Sequence, residues 1–372
     1  MKDERPIRKR MDESQSKEIL NKQKDLKGKI CKKPFNAFEV HIDGSVSVCC
    51  PSWLPKRVGN LNDNTVEEVF NSKGAQEIRE SMLDGSFKFC NHKICPVIQS
   101  LNPDVLMDKG SEEERYKKTK GLQPKMYNLC YDESCNLSCP SCRANKILYT
   151  EGPVYERKKK IQQKIIDFVF SKENKENCRM NITGSGDPFG SKLFRELLFS
   201  VDGREFPNVT IDLQTNGVMF TPRYWDKIKK IHNNLGSVYL SLDAAKEETY
   251  NITRRGGDWK RVIENIKFLS TKRREKKFKW FRLDFVVQNV NFKEMPDFVE
   301  LGKQLGVDQV YFSLVIDWGT WPKEEYERQC VWKKSHHNFE DFLNMLKRPE
   351  FDDWPYVDLG NLSEYVNRAK SL

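Results

Sequence analysis

The stretch KMYNLCYDESCNLSCPSC, residues 125–142, joins two signals. Its opening, KMYNLCYD, has the apolar and aromatic content of a buried strand. Its second half places Cys135, Cys139 and Cys142 on one loop, with gaps of three and two residues and no fourth ligand inside it.

Outward from this strand the pattern becomes regular. RMNITG (179–184), NVTIDLQTN (208–216), SVYLSLDA (237–244), FRLDFVVQ (281–288) and QVYFSLV (309–315) read as further strands. Helical patterns such as ERKKKIQQKIIDFVF, RYWDKIKKI, DWKRVIENIKFLS and MPDFVELGKQLG separate most of them, which predicts parallel βα units. Six units in roughly 195 residues fall short of the eight, in about 250, that close a full barrel. The expected class is therefore α/β, a partial (βα)6 TIM-like barrel, with a doubly wound sheet as the other geometry. In both, ligands sit at the carboxyl ends of parallel strands, so the three cysteines fall on the functional rim.

Upstream, FNAFEVHIDGSVSVCC (35–50) alternates apolar and polar residues around Asp43-Gly44, the turn chemistry of a β-hairpin. TVEEVFNSKGAQEIRESML then reads as a helix capped by Thr65 and broken at Gly74. The expected organisation is a charged arm over 1–29, a small cysteine-bearing α+β domain over 30–100 and a linker over 101–123. A barrel over 124–318 and a helical extension over 319–372, placed to cover the rim, complete it.

The net charge of +10 is carried largely by runs such as RKKK (157–160) and KRREKK (272–277). Both lie in helical patterns and read as solvated faces, so nucleic acid is not an expected partner. The N-terminus lacks the apolar core of a secretory signal and no run approaches the roughly 20 apolar residues of a membrane span. A cytoplasmic protein without membrane attachment is expected. In that compartment thiols stay reduced, so eleven cysteines point to metal or cluster ligation rather than disulfides.

Structural zinc takes four ligands, usually as two close pairs, which the spacing of Cys135, Cys139 and Cys142 does not supply. Three thiolates on one loop suit a cube-shaped iron–sulfur cluster, each taking a different iron and leaving one iron open to an exogenous chelator.

CNLSCPSC resembles the CxxxCxxC signature of the radical S-adenosylmethionine superfamily. The resemblance implies a [4Fe–4S] cluster whose open iron is chelated by S-adenosylmethionine (SAM), one-electron cleavage of the sulfonium and a 5′-deoxyadenosyl radical. It further implies a low-potential electron donor such as flavodoxin or ferredoxin. GSGDP (184–188) resembles the family's GGEP motif and offers Ser185, Gly186 and Asp187 to the methionine end of SAM. By the same analogy Asn216 of TNG is a polar contact, Ser241 and Asp243 of SLDA reach the ribose, and Gln288 points inward. In two places the sequence departs from the family pattern: Ser141 stands where an aromatic residue is usual, and Asp187 where Glu is expected.

Cys31, twelve residues, Gly44, four residues, Cys49 is similar to the start of the SPASM or twitch auxiliary-cluster domain of the same superfamily, here placed before the barrel. GNLNDNTVEEVFNS matches the segment such domains carry, and Cys90 and Cys95 complete four ligands of an auxiliary [4Fe–4S] cluster, with Cys50 as a spare. A four-cysteine zinc site is the other reading of this region. His92, between two of these cysteines, is expected to be an exposed loop residue.

The combined expectation is a radical SAM enzyme that abstracts hydrogen from a C–H bond of a peptide or a small sugar or amino-sugar. The auxiliary cluster would serve as electron acceptor or pocket element. No acid, base or hydrogen-donor residue is singled out by the sequence; Cys130, Cys178 and Cys330 read as packed residues, and His336, His337, Trp318 and Trp321 as surface ones. The alternative from another class is a basic, zinc-stabilised nucleic-acid-binding protein.

Overall fold

A computed structural model of the chain describes residues 26–110 and 114–371. The expected arm lies outside the described residues as far as residue 25. Beyond it Leu26 is buried, and β1 (Lys29–Cys31) begins at once.

The described chain divides into two compact units. The first runs to Asp132 and adds Thr150–Ser185 and Asn208–Thr210. It holds β2 (Ala37–Val40), β3 (Ser45–Ser47), β4 (Gly59–Asn60), β5 (Leu106–Asp108), β6 (Met126–Leu129) and β7 (Cys178–Ile182). Its longer helices are α1 (Val66–Phe70), α2 (Lys73–Leu83) and α3 (Gly152–Val169). Strand order is β7-β6-β2-β3-β4, with β1 and β5 as a separate antiparallel pair. β2 lies parallel to β6, so the cysteine-bearing hairpin extends the same sheet as the first two βα strands.

The hairpin forms where Asp43-Gly44 predicts it. Asp43 Oδ1 accepts from the backbone N–H of Ser45 at 3.0 Å, and Gly44 sits at φ +79°. The side chains of Asn60 and Asn62 then donate to the Asp43 carbonyl at 3.2 and 2.9 Å. A Cβ on Gly44 would fall 2.7 Å from Asn60 Oδ1 and 2.9 Å from Ile161 Cδ1, so both the backbone angle and the close approach demand glycine.

Thr65 caps α1 in a reciprocal capping box with Glu68. The expected break at Gly74 falls instead at Ser72, whose hydroxyl caps α2; Gly74 lies in the first turn of that helix. Arg79 of α2 is wholly buried and donates to the carbonyls of Pro34, Thr119 and Phe70 at 2.8–3.0 Å. Those bonds, together with β5 and the Asn71 side chain on Leu122, tie the 101–123 stretch into the unit.

The second unit holds 133–149, 186–207 and the chain from Ile211 onward. It contains β8 (Val209–Thr215, but for its first two residues), β9 (Leu235–Ser241), β10 (Trp280–Val287), β11 (Gln309–Leu314) and β12 (Val357–Asp358). Among its helices are α4 (Lys192–Ser200), α5 (Pro222–Lys227), α6 (Glu247–Thr253), α7 (Trp259–Arg274) and α8 (Met295–Leu305). The extension adds α9 (Lys323–Gln329), α10 (Phe339–Met345) and α11 (Ser363–Ser371).

All neighbouring strands here are parallel and follow chain order from β8 to β12. A doubly wound sheet would reverse that order at a switch point. The class is thus the expected one: α/β, partial (βα)6 barrel, with a small N-terminal α+β part and a helical C-terminal extension. β12, paired to β11 inside that extension, is too short to carry a strand pattern of its own.

β10 shows how the core is written. Phe281, Leu283, Phe285 and Val287 are buried on one face, while Arg282, Asp284 and Val286 take the other. Phe285 packs its ring 4.8 Å from Phe298 of α8 and 5.4 Å from Phe312 of β11. Phe285→Ala is expected to cost about 3–5 kcal/mol, read as a lower urea midpoint.

The basic runs behave as helix faces with one exception. Lys158 of α3 is buried, and its ammonium donates to the carbonyl of Tyr131 at 2.5 Å, immediately before the three-cysteine loop. Among the described residues no helix is long and apolar enough to cross a membrane.

Candidate functional site

The cysteine loop is irregular and held by bonds within the second unit. Cys135 N–H donates to Ile147 at 2.8 Å, the N–H groups of Cys142 and Arg143 both donate to the Cys139 carbonyl at 2.9 Å, and Ser138 N–H donates to Arg255 at 3.1 Å. Thr320, from the segment after β11, donates its hydroxyl to the Pro140 carbonyl at 2.9 Å. Through Thr320 the extension touches this loop.

Cys135 and Cys139 are buried and Cys142 is exposed. Each sulfur has its own N–H donors. Leu137 N–H and the Asn216 amide approach Cys135 Sγ at 3.4 and 3.6 Å. Arg254 Nη1 lies 3.9 Å from Cys139 Sγ, and Arg143 Nη2 lies 3.4 Å from Cys142 Sγ. Burial, then the Asp187 carboxylate, pushes the Cys135 thiol up to about 12, opposed by Arg143. Burial also raises Cys139, opposed by Arg254.

Three thiols with separate N–H donors, two of them guanidinium groups, fit a thiolate-ligated iron–sulfur cluster, whose sulfurs accept such bonds. Among the described residues no group of three or more His, Cys, Asp or Glu side chains is arranged to hold a single metal ion. That does not test a cube, which takes each thiolate on a different iron.

The strand-end residues fall into distinct roles. Asp187 is fully buried and its carboxylate is used up: Oδ1 accepts from the N–H of Phe189 and Gly190 at 2.9 and 2.8 Å, while Oδ2 accepts from Thr215 Oγ1 and Asn216 N–H at 2.8 Å each. Its own N–H donates to Ser134 at 2.9 Å. It is a knot joining three loops. Gly186 is its chain neighbour, and Ser185, in the first unit, donates its hydroxyl to the carbonyls of Cys130 and Asp132.

Asn216 reaches Cys135 and also donates to Asn136 Oδ1 at 2.9 Å. Gly217, at φ +77°, makes this turn sharp; a Cβ there would lie 2.5 Å from Leu240. Ser241, half-buried at the end of β9, makes no side-chain hydrogen bond among the described residues. Asp243, buried at φ +58°, is paired by Oδ2 to Arg254 at 2.7 Å and accepts from Val286 N–H at 2.8 Å through Oδ1. Burial raises its pKa, opposed first by Arg254. Gln288 is buried with its amide turned back on the Val286 carbonyl at 3.4 Å.

Sequence reasoning did not single out Asn136, Arg143, Arg254 or Asn291. Asn136 and Arg143 lie inside or beside the cysteine signature, which was the available signal. Arg254 and Asn291 carry none: Arg254 pairs with Asp243, and Asn291 donates to the carbonyl of Asp243, 48 residues away, and to that of Val286.

In the first unit, Cys31 ends β1, Cys49 follows β3, and Cys90 and Cys95 flank a short loop behind α2. Their thiols stand in one another's field. Cys90 is raised well above its ordinary value by burial and then by Cys31, Cys49 and Cys95. Burial, then Cys31, pushes Cys49 up to about 12, and burial lifts Cys31 to about 11. Cys50 is felt by Cys95 but is half-buried beside the set. Four thiols in one another's field, without a carboxylate, suit a closed cluster by donor chemistry, while no group among the described residues is arranged to hold a single zinc ion.

His92 is buried, contrary to the exposed loop position expected. Its Nε2 lies 3.4 Å from the Phe87 carbonyl, its Nδ1 has no partner among the described residues, and burial lowers its pKa.

Two family models match the chain. The Radical SAM superfamily matches residues 133–302, and SPASM, an iron–sulfur cluster-binding domain, matches residues 31–96. A probable GTP 3′,8-cyclase of Methanocaldococcus jannaschii is 23% identical over 186 residues, covering 50% of this chain and 57% of that protein. A GTP 3′,8-cyclase of Alkaliphilus oremlandii is 29% identical over 137 residues, 36% of this chain and 39% of that protein. The chain thus spans about half the length of the curated relatives it matches. Among solved structures, native anSMEcpe with bound AdoMet aligns with a TM-score of 0.43 and 20% identity over 60% of this chain and 58% of that one. SuiB of Streptococcus suis bound to S-adenosylmethionine aligns with a TM-score of 0.41 and 13% identity over 61% of this chain and 48% of that one.

Proposed function

Since the chain is an enzyme of the radical SAM superfamily carrying a SPASM domain, with a [4Fe–4S] cluster, SAM and auxiliary iron–sulfur ligation as its cofactors, we propose that it abstracts hydrogen from a C–H bond of a peptide or a small sugar or amino-sugar. Held by Cys135, Cys139 and Cys142, the cluster would supply one-electron reduction of SAM. The protein's part is ligation, orientation and exclusion of water.

Cys135, Cys139 and Cys142 are the proposed ligands. The observation that carries the reading is that each of these thiols already has an N–H donor of its own. Asn216 and Asn136 fix the turn beside Cys135, and Ser241 is left available for a hydroxyl of the nucleoside. Asp187 and Asp243 act through other residues, since their carboxylates are already bonded. Gly186 and Ser185 remain proposed backbone contacts to the methionine end, and Gln288 a wall residue.

Cys31, Cys49, Cys90 and Cys95 are the proposed ligands of the auxiliary cluster. Complete ligation by protein suits it to accept an electron from a substrate radical, which makes the net reaction an oxidation, or to form part of the pocket. A low-potential one-electron donor of the flavodoxin or ferredoxin type completes the cycle.

The test is anaerobic reconstitution followed by incubation with SAM and dithionite. Formation of 5′-deoxyadenosine, with about eight irons per chain, is the expected result. Two zinc ions and no cleavage would sink it. GTP, which the relatives' names carry, belongs in the same substrate screen as peptides and sugars.

A further inference from the structure

Two buried polar atoms beside Cys139 lack a partner among the described residues: Arg254 Nε and Tyr250 Oη. The side chain of Arg254 is nearly enclosed, at 12% exposure, and that of Asp243 more so, at 2%. A buried guanidinium edge and a buried hydroxyl without partners each cost free energy, so their persistence calls for an acceptor.

Local structure fixes both. Arg254 follows α6, and its N–H donates to the Tyr250 carbonyl at 2.7 Å, which puts the two side chains one helical turn apart. The chain then turns at Gly256, φ +86°, and a Cβ on Gly257 would fall 2.4 Å from Tyr250 Oη. The loop is thereby closed over the hydroxyl. Asp243 holds Nη2 of Arg254 at 2.7 Å from a left-handed backbone position that a non-glycine residue rarely takes. Arg254 Nη1 is left facing Cys139 Sγ at 3.9 Å.

We propose that Arg254, with Tyr250, is a tuning element for the cluster held by Cys139, and that Asp243 is a positioning residue acting through Arg254. This rests on the assignment of that cluster to Cys135, Cys139 and Cys142. Nη1 and Oη supply the hydrogen-bond donors to sulfur on that side, and the guanidinium supplies positive charge. Reduction adds one electron, and so one negative charge, to the cluster; nearby N–H donors and a cation stabilise the reduced form and raise its potential. Asp243 limits that effect by neutralising Arg254 while holding it in place. The set of charges therefore predicts opposite signs for the two members of the ion pair.

The experiment is an EPR-monitored redox titration of the reconstituted holoenzyme, following the signal that changes when SAM is added. Arg254→Gln should move that midpoint to more negative potential. Asp243→Asn should move it the other way, because the cation is no longer neutralised. Tyr250→Phe, which keeps volume and fold, should give a smaller negative shift at unchanged iron content. Midpoints that stay put in all three variants, or a shift of the same sign in R254Q and D243N, would overturn the inference. A wild-type protein with no SAM-responsive signal would instead overturn the cluster assignment.

Discussion

Cys139→Ala is expected to reduce 5′-deoxyadenosine formation by more than about a hundredfold, since even partners of metal ligands cost 10–100-fold when removed. Iron should fall from about eight to about four per chain, because one cube loses a corner ligand and the other is untouched. The sulfur concerned is buried, and the Arg254 guanidinium stands against it. Alanine leaves that cation facing a void that no thiolate fills, so partial ligation by the remaining two thiols gains nothing from its field. Cys178→Ala is the matched control. That thiol is also buried, its pKa pushed up to about 12 by burial, but it sits at the start of β7. Its loss should cost about 1 kcal/mol of packing and leave iron and cleavage intact. Equal yields from C139A and the wild type would remove Cys139 from the site.

How much of this is legible in the sequence depends on the range of each interaction. All six strands are legible because a strand writes its pattern within its own few residues, as β10 does in alternating Phe281, Leu283, Phe285 and Val287 with Arg282 and Asp284. The hairpin at Asp43-Gly44 is legible for the same reason: both the side-chain cap and the left-handed glycine are local. The three-cysteine loop is legible from its spacing. Which segments become sheet neighbours is not local, and nothing in residues 37–40 shows that they lie parallel to Met126–Leu129.

The strand-end acids stand out in the sequence, but their work does not. The motif around Asp187 places it with the cofactor, yet its partners are Thr215 and Asn216, and those of Asp243 are Arg254 and Val286. A carboxylate's role is set by what has already claimed its lone pairs, and here Thr215, Asn216 and Val286 come from other βα units, while Arg254 follows Asp243 within its own. Arg254 cannot stand out in a chain with 64 basic residues. Lys158 and His92 read as surface residues for a related reason. Residue type and loop position predict exposure on average, but a Tyr131 carbonyl and a Phe87 ring hold these two inside.

Asp187→Ala is expected to lower the stability of the second unit by roughly 3–5 kcal/mol, the range in which several buried donors are orphaned together. Alanine leaves Phe189 N–H, Gly190 N–H, Thr215 Oγ1 and Asn216 N–H without their acceptor, in a place with no solvent access. A water in the space can restore some of those bonds, since buried waters typically make about three. Asp187→Asn keeps one acceptor oxygen but turns a donor toward one pair of its former partners, so about 1–3 kcal/mol should be lost. Asp187→Glu brings the residue usual in the resembled motif, and still should cost about 1–3 kcal/mol, because an extra methylene must enter a filled site. Urea denaturation orders the three variants. Iron analysis adds a second reading: the Oδ2 atom that holds Asn216 N–H also sets the amide lying 3.6 Å from Cys135 Sγ, so D187A should lose iron from that cluster first. The irons of Cys31, Cys49, Cys90 and Cys95 belong to the other unit and should stay. A D187A protein as stable as the wild type and fully loaded with iron would show that this carboxylate is not what ties the cysteine loop to the turn after β8.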